Sequence, residues 1–165
     1  MINKNKLEQY GFEKRIELEG VVSLVCTVFG NGSNNNADIM MMETANTETH
    51  LGDFPDYNRK IGESPYQFDE GTFEDTIRRT RPRDKITTMR YFKIDLNKVH
   101  YGDLHANLLL SSILCRLKYK LVPEPFPATL NERYDYYKLN WNSSAKNAKG
   151  TKEHYIELNK NLFSK

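Results

Sequence analysis

The hydrophobic positions of the chain fall into long runs, and the clearest run predicts the centre of the core. This run is DLHANLLLSSILCRLKYKL, residues 103–121, which is apolar almost all the way round a helix. A helix that is apolar on every side is normally buried. We therefore predict that residues 103–121 form the central core helix, with Asp103 as its N-cap.

Two further apolar runs precede the central one. Residues 12–29 predict a helix that Gly30 ends, although the β-branched residues in VVSLVCTVF leave a strand as the alternative. Residues 37–50, ADIMMMETANTETH, predict a short helix with apolar side chains on most of one side, ended near Gly52.

The remaining segments are more polar, and their patterns predict shorter elements. In chain order we expect loop or short strand over 51–69, a helix over 70–80, a turn at RPRDK, an ambiguous strand in KITTMRYFKIDL, and helices over 129–141 and 152–163. The expected fold class is therefore mainly α, or α+β if the short irregular segment at 51–69 is β-rich.

Composition indicates one domain over residues 1–165, with residues 1–36 as an N-terminal helical extension. Cys26 and Cys115 each lie in an apolar run, which favours two buried free thiols over a disulfide. The first twenty residues contain no apolar stretch of the kind that a secretory signal needs, so we expect a protein made in the cytoplasm.

Charge is balanced overall at +2 but is unevenly distributed. Residues 43–75 hold nine acidic against two basic residues, whereas residues 76–165 hold eighteen basic against eight acidic ones. The basic part could face an anionic polymer such as cell wall or nucleic acid.

The acidic residues concentrate in METANTETHLGDFPDYNRKIGESPYQFD, residues 42–69. Glu43 follows a run of apolar residues, and partial desolvation there would raise the pKa of its carboxyl and make it a general acid. Asp56 and Asp69 could stay ionised and hold a water. One protonated and one ionised carboxyl is what glycoside hydrolysis needs. The alternative is a solvated acidic loop or a calcium site.

The order of blocks in this stretch is E-T-A, then G-D-F-P-D, then G-E-S-P-Y-Q-F-D. It resembles the lysozyme-like superfamily, in particular goose-type lysozymes and soluble lytic transglycosylases. There the catalytic Glu ends a helix as E-S or E-T, and a glycine-rich segment runs into G-x-G-L-M-Q. The resemblance implies a lysozyme-like fold, Glu43 as the catalytic acid, and Asp56 and Asp69 as the residues that position water. Ser64 and Pro65 stand where Gly and Leu are usual.

A second block, YYKLNWNSS at residues 136–144, resembles the late A-Y-N-A-G element of that superfamily, in which an aromatic residue and an Asn line the sugar cleft. Amide side chains can satisfy sugar hydroxyl and N-acetyl groups, and aromatic rings can cover sugar faces. The expected substrate contacts are Tyr66, Gln67, Tyr137, Trp141 and Asn142.

Two rival sites have weaker patterns. His100 and His105 flank Asp103 and could belong to a zinc hydrolase, but their five-residue spacing does not place both on one helical face. The arginines of IRRTRPRDK, residues 77–85, could bind nucleic-acid phosphates or could form a solvated helix end.

The sequence thus predicts a monomeric peptidoglycan glycosidase that cuts the β-1,4 bond between N-acetylmuramic acid and N-acetylglucosamine, without metal or cofactor and without a membrane or nucleic-acid partner. A phage endolysin that reaches the wall after holin-type release fits these features, as do a virion-borne lysin and a bacterial enzyme. The alternatives are a lytic transglycosylase on the same fold and, from another class, a non-catalytic module that binds an anionic polymer.

Overall fold

The structure is a computed structural model that describes residues 15–52, 64–105, 107–143 and 150–164. The described ranges contain seven α-helices and one 3-10 turn: α1 (Arg15–Phe29), α2 (Ala37–Thr49), α3 (Glu70–Arg79), α4 (Pro82–Phe92), the 3-10 turn (Tyr101–Leu104), α5 (Leu108–Lys120), α6 (Leu130–Asn140) and α7 (Lys152–Asn159). No strand occurs in these ranges. The mainly-α expectation is confirmed, and the β segment expected within 51–69 is not found in its described part.

Helix α5 is the central helix, as its all-round apolar pattern predicts. Ten of its thirteen residues are buried, and it packs against α1, α2 and α3. It begins later than predicted because Asn107, not Asp103, caps it: the Asn107 side chain accepts from the backbone N–H of Leu110 at 3.0 Å. Asp103 instead closes the 3-10 turn by accepting from the backbone N–H of His100 at 2.8 Å.

Helix α1 is part of the core and not an extension from it. Its buried face packs on α2 and α5 and consists of Leu18, Val22, Val25, Cys26 and Phe29. The strand alternative for VVSLVCTVF is wrong. Arg116, buried in α5, donates from Nε and Nη2 to the carbonyl of Gly30 at 3.0 and 2.9 Å. This guanidinium satisfies the carbonyl end of α1, where the helix dipole favours a cation.

Helix α4 replaces the turn predicted at RPRDK and the strand predicted in KITTMRYFKIDL. Pro82 occupies the first turn, where its missing N–H costs no hydrogen bond and its fixed φ suits a helix. Asp84 then forms an ion pair with Lys120 of α5 at 2.7 Å, and both side chains are largely buried. This tertiary contact holds a helix whose own alternating sequence also suits a strand.

The core of the described residues consists of apolar side chains and includes two free thiols. Cys26 and Cys115 are buried and unpaired, as predicted. Within the described ranges, no helix combines the length and the apolar character that crossing a bilayer would require.

Candidate active site

Glu43 lies in the middle of α2, which continues to Thr49. The expectation that Glu43 ends the helix is therefore wrong. The apolar run before it marks no terminus, because α2 is buried on nearly every side and Glu43 itself is 1% exposed.

The Glu43 carboxylate is fully engaged by two other helices. Arg133 of α6 donates from Nε to Oε2 at 2.9 Å and from Nη2 to Oε1 at 2.8 Å, and Tyr155 of α7 donates to Oε2 at 2.8 Å. A bidentate guanidinium pair with a further hydroxyl satisfies a buried carboxylate and leaves no face for a sugar oxygen. This geometry gives Glu43 a structural role, and no contact of its carboxyl supports the predicted catalytic one.

A second glutamate, Glu48, occupies the last turn of α2 and stands in a different environment. Its Oε1 accepts from the hydroxyl of Tyr137 at 2.5 Å, and the side chain is partly accessible. Burial raises the pKa of Glu48 to about 7, against the lowering effects of the Tyr137 hydrogen bond and of the nearby Lys118 and Lys138. A carboxyl that is half protonated near neutral pH is suited to general acid catalysis.

Hydrogen bonds fix the backbone at the end of α2, the helix turn that carries Glu48. His50, Leu51 and Gly52 all have positive φ, and the backbone N–H of Gly52 donates to Thr49 Oγ1 at 2.7 Å. The same hydroxyl donates to the carbonyl of Pro65 at 2.8 Å. The segment around Gln67 is thereby tied to the helix end that carries Glu48.

The late block reaches Glu48 from the opposite side. Tyr137 lies in the last turns of α6, and the side-chain amide of Asn142 donates to the Tyr137 hydroxyl at 3.4 Å. Burial and the adjacent Glu48 carboxyl raise the pKa of Tyr137, so its hydroxyl keeps its proton and remains a donor. Two predicted substrate residues are thus found at Glu48, not at Glu43.

Trp141 ends α6 and packs among aromatic rings of the core. Its ring lies 5.2 Å from Phe68 and 5.2 Å from Tyr119, between ring centroids. The Lys118 ammonium stands 4.2 Å from the indole centroid. Tyr66 is completely buried, and its hydroxyl contacts Ser112 Oγ at 3.1 Å, so in this structure its ring is core and not a sugar platform.

The remaining predicted site residues have local roles or cannot be placed. Gln67 adopts a positive φ and donates from its amide to the carbonyl of Ser64 at 2.9 Å. Asp69 is the N-cap of α3: its two oxygens accept from the backbone N–H and the hydroxyl of Thr72, at 2.7 and 2.9 Å. Asp56 lies outside the described residues.

A groove of 560 Å³ runs between α3 and the carboxyl ends of α5 and α6. Asp69, Lys118 and Asn140 are among its lining residues. A volume of this size is in the range of small-ligand sites. Lys118 also covers the Trp141 ring, but neither Glu48 nor Tyr137 lines this groove.

The described residues add little support for a zinc site at His100 and His105 or for phosphate binding by the arginines of residues 77–85. No group of three potential metal ligands occurs within the described ranges. Asp75 pairs with Arg78 and with Arg79 along α3, which partly neutralises the basic cluster.

Glu48 is the functional candidate that the sequence analysis missed. The chain contains E-T twice, at Glu43-Thr44 and at Glu48-Thr49, and the resemblance requires the pair that ends a helix. The left-handed conformation of His50 ends α2 directly after the second pair. The nearness of Glu48 to Gly52 could have identified it from the sequence, because a helix usually stops just before such a glycine.

Neither a known protein family, nor a curated protein, nor a solved structure matches this chain.

We predict that Arg133→Met lowers the free energy of unfolding by about 3–5 kcal/mol, because it leaves the Glu43 carboxylate buried without its counter-charge. Urea unfolding followed by circular dichroism measures this. The matched control is Lys152→Met, which breaks the exposed pair with Asp135 between α7 and α6 and should cost less than about 1 kcal/mol. Equal losses in the two variants would contradict the structural role of Glu43.

We also predict a pH-dependent stability that Glu48→Gln removes. Because burial raises the Glu48 pKa from 4.5 to about 7, the folded protein binds more protons than the unfolded chain between these values. The stabilisation is complete below pH 4.5 and is lost as the pH rises through 7, a total of about 3 kcal/mol. Denaturant unfolding across this range should show wild type losing stability relative to Glu48→Gln. A constant difference between the two would contradict the raised pKa.

Proposed function

We propose that the protein is a glycosidase that cleaves the β-1,4 bonds of peptidoglycan, with Glu48 as the general acid. The observation that carries the proposal is the hydrogen bond of 2.5 Å between Glu48 and Tyr137 at the end of α2. It joins an E-T pair that ends a helix to the late aromatic-and-Asn block, and both are among the elements that the resemblance to lysozyme-like enzymes uses. We propose a lysozyme-like fold together with this activity.

The chemistry follows from the pKa of Glu48. Near neutral pH about half of the molecules carry a proton on this carboxyl. The protonated carboxyl donates to the glycosidic oxygen, which leaves as an alcohol while positive charge develops on the sugar. The Tyr137 hydroxyl fixes the position of one oxygen of this carboxyl.

The backbone of the Gln67 block also supports the proposal. Ser64 stands where the family usually has Gly, and its φ of 73° lies in the left-handed region that favours glycine. The substitution has therefore changed the residue while the loop retains a conformation suited to glycine.

The fate of the sugar cation separates two candidate reactions. Hydrolysis with inversion needs a carboxylate that holds water, the role predicted for Asp56 and Asp69. Both oxygens of Asp69 are already engaged by Thr72, which favours the second candidate, a lytic transglycosylase, since internal attack by a sugar substituent requires no such carboxylate. A phage endolysin that acts on the wall after release from the cytoplasm remains our proposed setting.

We predict that Glu48→Gln lowers peptidoglycan solubilisation by about 100-fold or more, the usual range for loss of a general acid. The assay is release of soluble fragments from purified cell walls. Glu43→Gln is the discriminating comparison: per folded molecule, measured by circular dichroism, it should retain most activity. Glu157→Gln on the surface of α7 controls for loss of one acidic charge. Full activity in Glu48→Gln would contradict the assignment, and wall binding without cleavage by wild type would favour the non-catalytic binding module.

Mass spectrometry of the same fragments, combined with Asp69→Asn, distinguishes the two reactions. Asn also caps helices well, so this variant should keep α3 intact. We expect anhydro-muramyl ends and nearly unchanged rates in Asp69→Asn, as for a transglycosylase. Reducing-end sugars whose formation Asp69→Asn abolishes would instead establish hydrolysis with Asp69 holding the water.

A further inference from the structure

Lys138 presents a buried ammonium that nothing in the proposed mechanism uses so far. Its Nζ is inaccessible to solvent and has no hydrogen-bond partner, the only side-chain nitrogen or oxygen of this kind within the described ranges. Burying a charged group without a partner costs several kcal/mol, so such a group calls for a compensating anion. Lys138 directly follows Tyr137, whose hydroxyl holds Glu48, and its charge acts on the Glu48 carboxyl.

Lys118 brings a second ammonium to the same carboxyl from another helix. It belongs to α5, is partly buried against the face of Trp141, and its charge also acts on Glu48. No carboxylate lies within ion-pair distance of it among the residues that the structure describes. Two helices, α5 and α6, therefore each hold an ammonium without an ion-pair partner among the described residues, and both charges act on the Glu48 carboxyl.

We infer that the ammonium groups of Lys118 and Lys138 are the counter-charges of Glu48, and that they stabilise the carboxylate left behind when Glu48 gives its proton to the substrate. This inference rests on the proposed function for its catalytic meaning. The proton passes from Glu48 to the glycosidic oxygen while the bond between that oxygen and the sugar carbon breaks, and the electron pair of the bond stays on the oxygen. Neither lysine exchanges a proton with the substrate in this step, and both act only as positioning residues.

The groups around Glu48 have opposing effects on its pKa, and the two ammonium groups act against burial. Burial favours the neutral acid, and against it stand the Tyr137 hydroxyl and Lys138 from α6 and Lys118 from α5. On α2 itself, Glu43 is neutralised by Arg133, and His50 follows at the helix end. Without the lysines, burial would hold the proton too firmly for transfer. With them, the carboxylate formed in the transition state meets positive charge that is already in place.

The test is a direct titration of Glu48 by NMR of the glutamate side-chain carboxyl carbons, with the Glu48 signal identified by its absence from Glu48→Gln. Wild type should titrate near pH 7. Lys118→Met and Lys138→Met should each raise the midpoint by about one pH unit, since each removes a nearby positive charge. Lys138→Arg should restore the wild-type midpoint, and Lys98→Met, which removes a charge that is 84% exposed, should leave it unchanged.

The titration does not depend on activity, so it separates this inference from the proposed function. Higher midpoints in both Met variants support the counter-charge role whether or not wild type cleaves peptidoglycan. Where it does cleave, the basic limb of kcat/KM should move to higher pH in the same variants. Unchanged midpoints in folded Met variants would overturn the inference, and so would a rise in KM alone, which would mean that the ammonium groups bind an anionic part of the substrate.

Discussion

The buried pair between Glu43 and Arg133 is the interaction on which the rest of the site depends. It joins α2 to α6, and the hydroxyl of Tyr155 adds α7 to the same carboxylate. Arg133 and Tyr137 are four residues apart and so share one face of α6. Once Arg133 is fixed on Glu43, Tyr137 is carried to the next turn of α2, where it meets Glu48. The pair of Glu43 and Arg133 thus sets the register of the contact between Tyr137 and Glu48.

Two glutamates on one helix acquire opposite properties from their surroundings. Glu43 is enclosed by a guanidinium and a hydroxyl, an arrangement that satisfies a charged carboxylate. Glu48 receives one hydroxyl and two lysines at a distance, which only partly offset its burial, and its pKa rises to about 7. The same residue type therefore forms a buried ion pair at one position and has a raised pKa at the other, five residues further along the helix.

The groups around Glu48 lower the stability of the folded protein. A carboxyl with a raised pKa destabilises the protein as the pH rises, and a buried ammonium without a partner does so at any pH at which it is charged. The turn at His50, Leu51 and Gly52 adds three consecutive residues with positive φ. Such costs are typical of functional sites in proteins, and here the Glu43 pair and the α5 core provide stability that offsets them.

The helical class and most of the helices follow from the sequence alone, because the apolar runs of α1, α2 and α5 are long enough to form buried helices and Gly30 and Gly52 mark the ends of the first two. A local motif also predicted Tyr137 and Asn142 as neighbours within one site, and the two side chains are hydrogen-bonded to each other. The sequence could not determine whether RPRDK begins a helix, because the contact between Asp84 and Lys120 that supports α4 is distant in sequence. Nor could it choose between Glu43 and Glu48. Both occur as E-T within one predicted helix, and only the packing of α6 and α7 against α2 decides which carboxyl pairs with an arginine and which has a raised pKa.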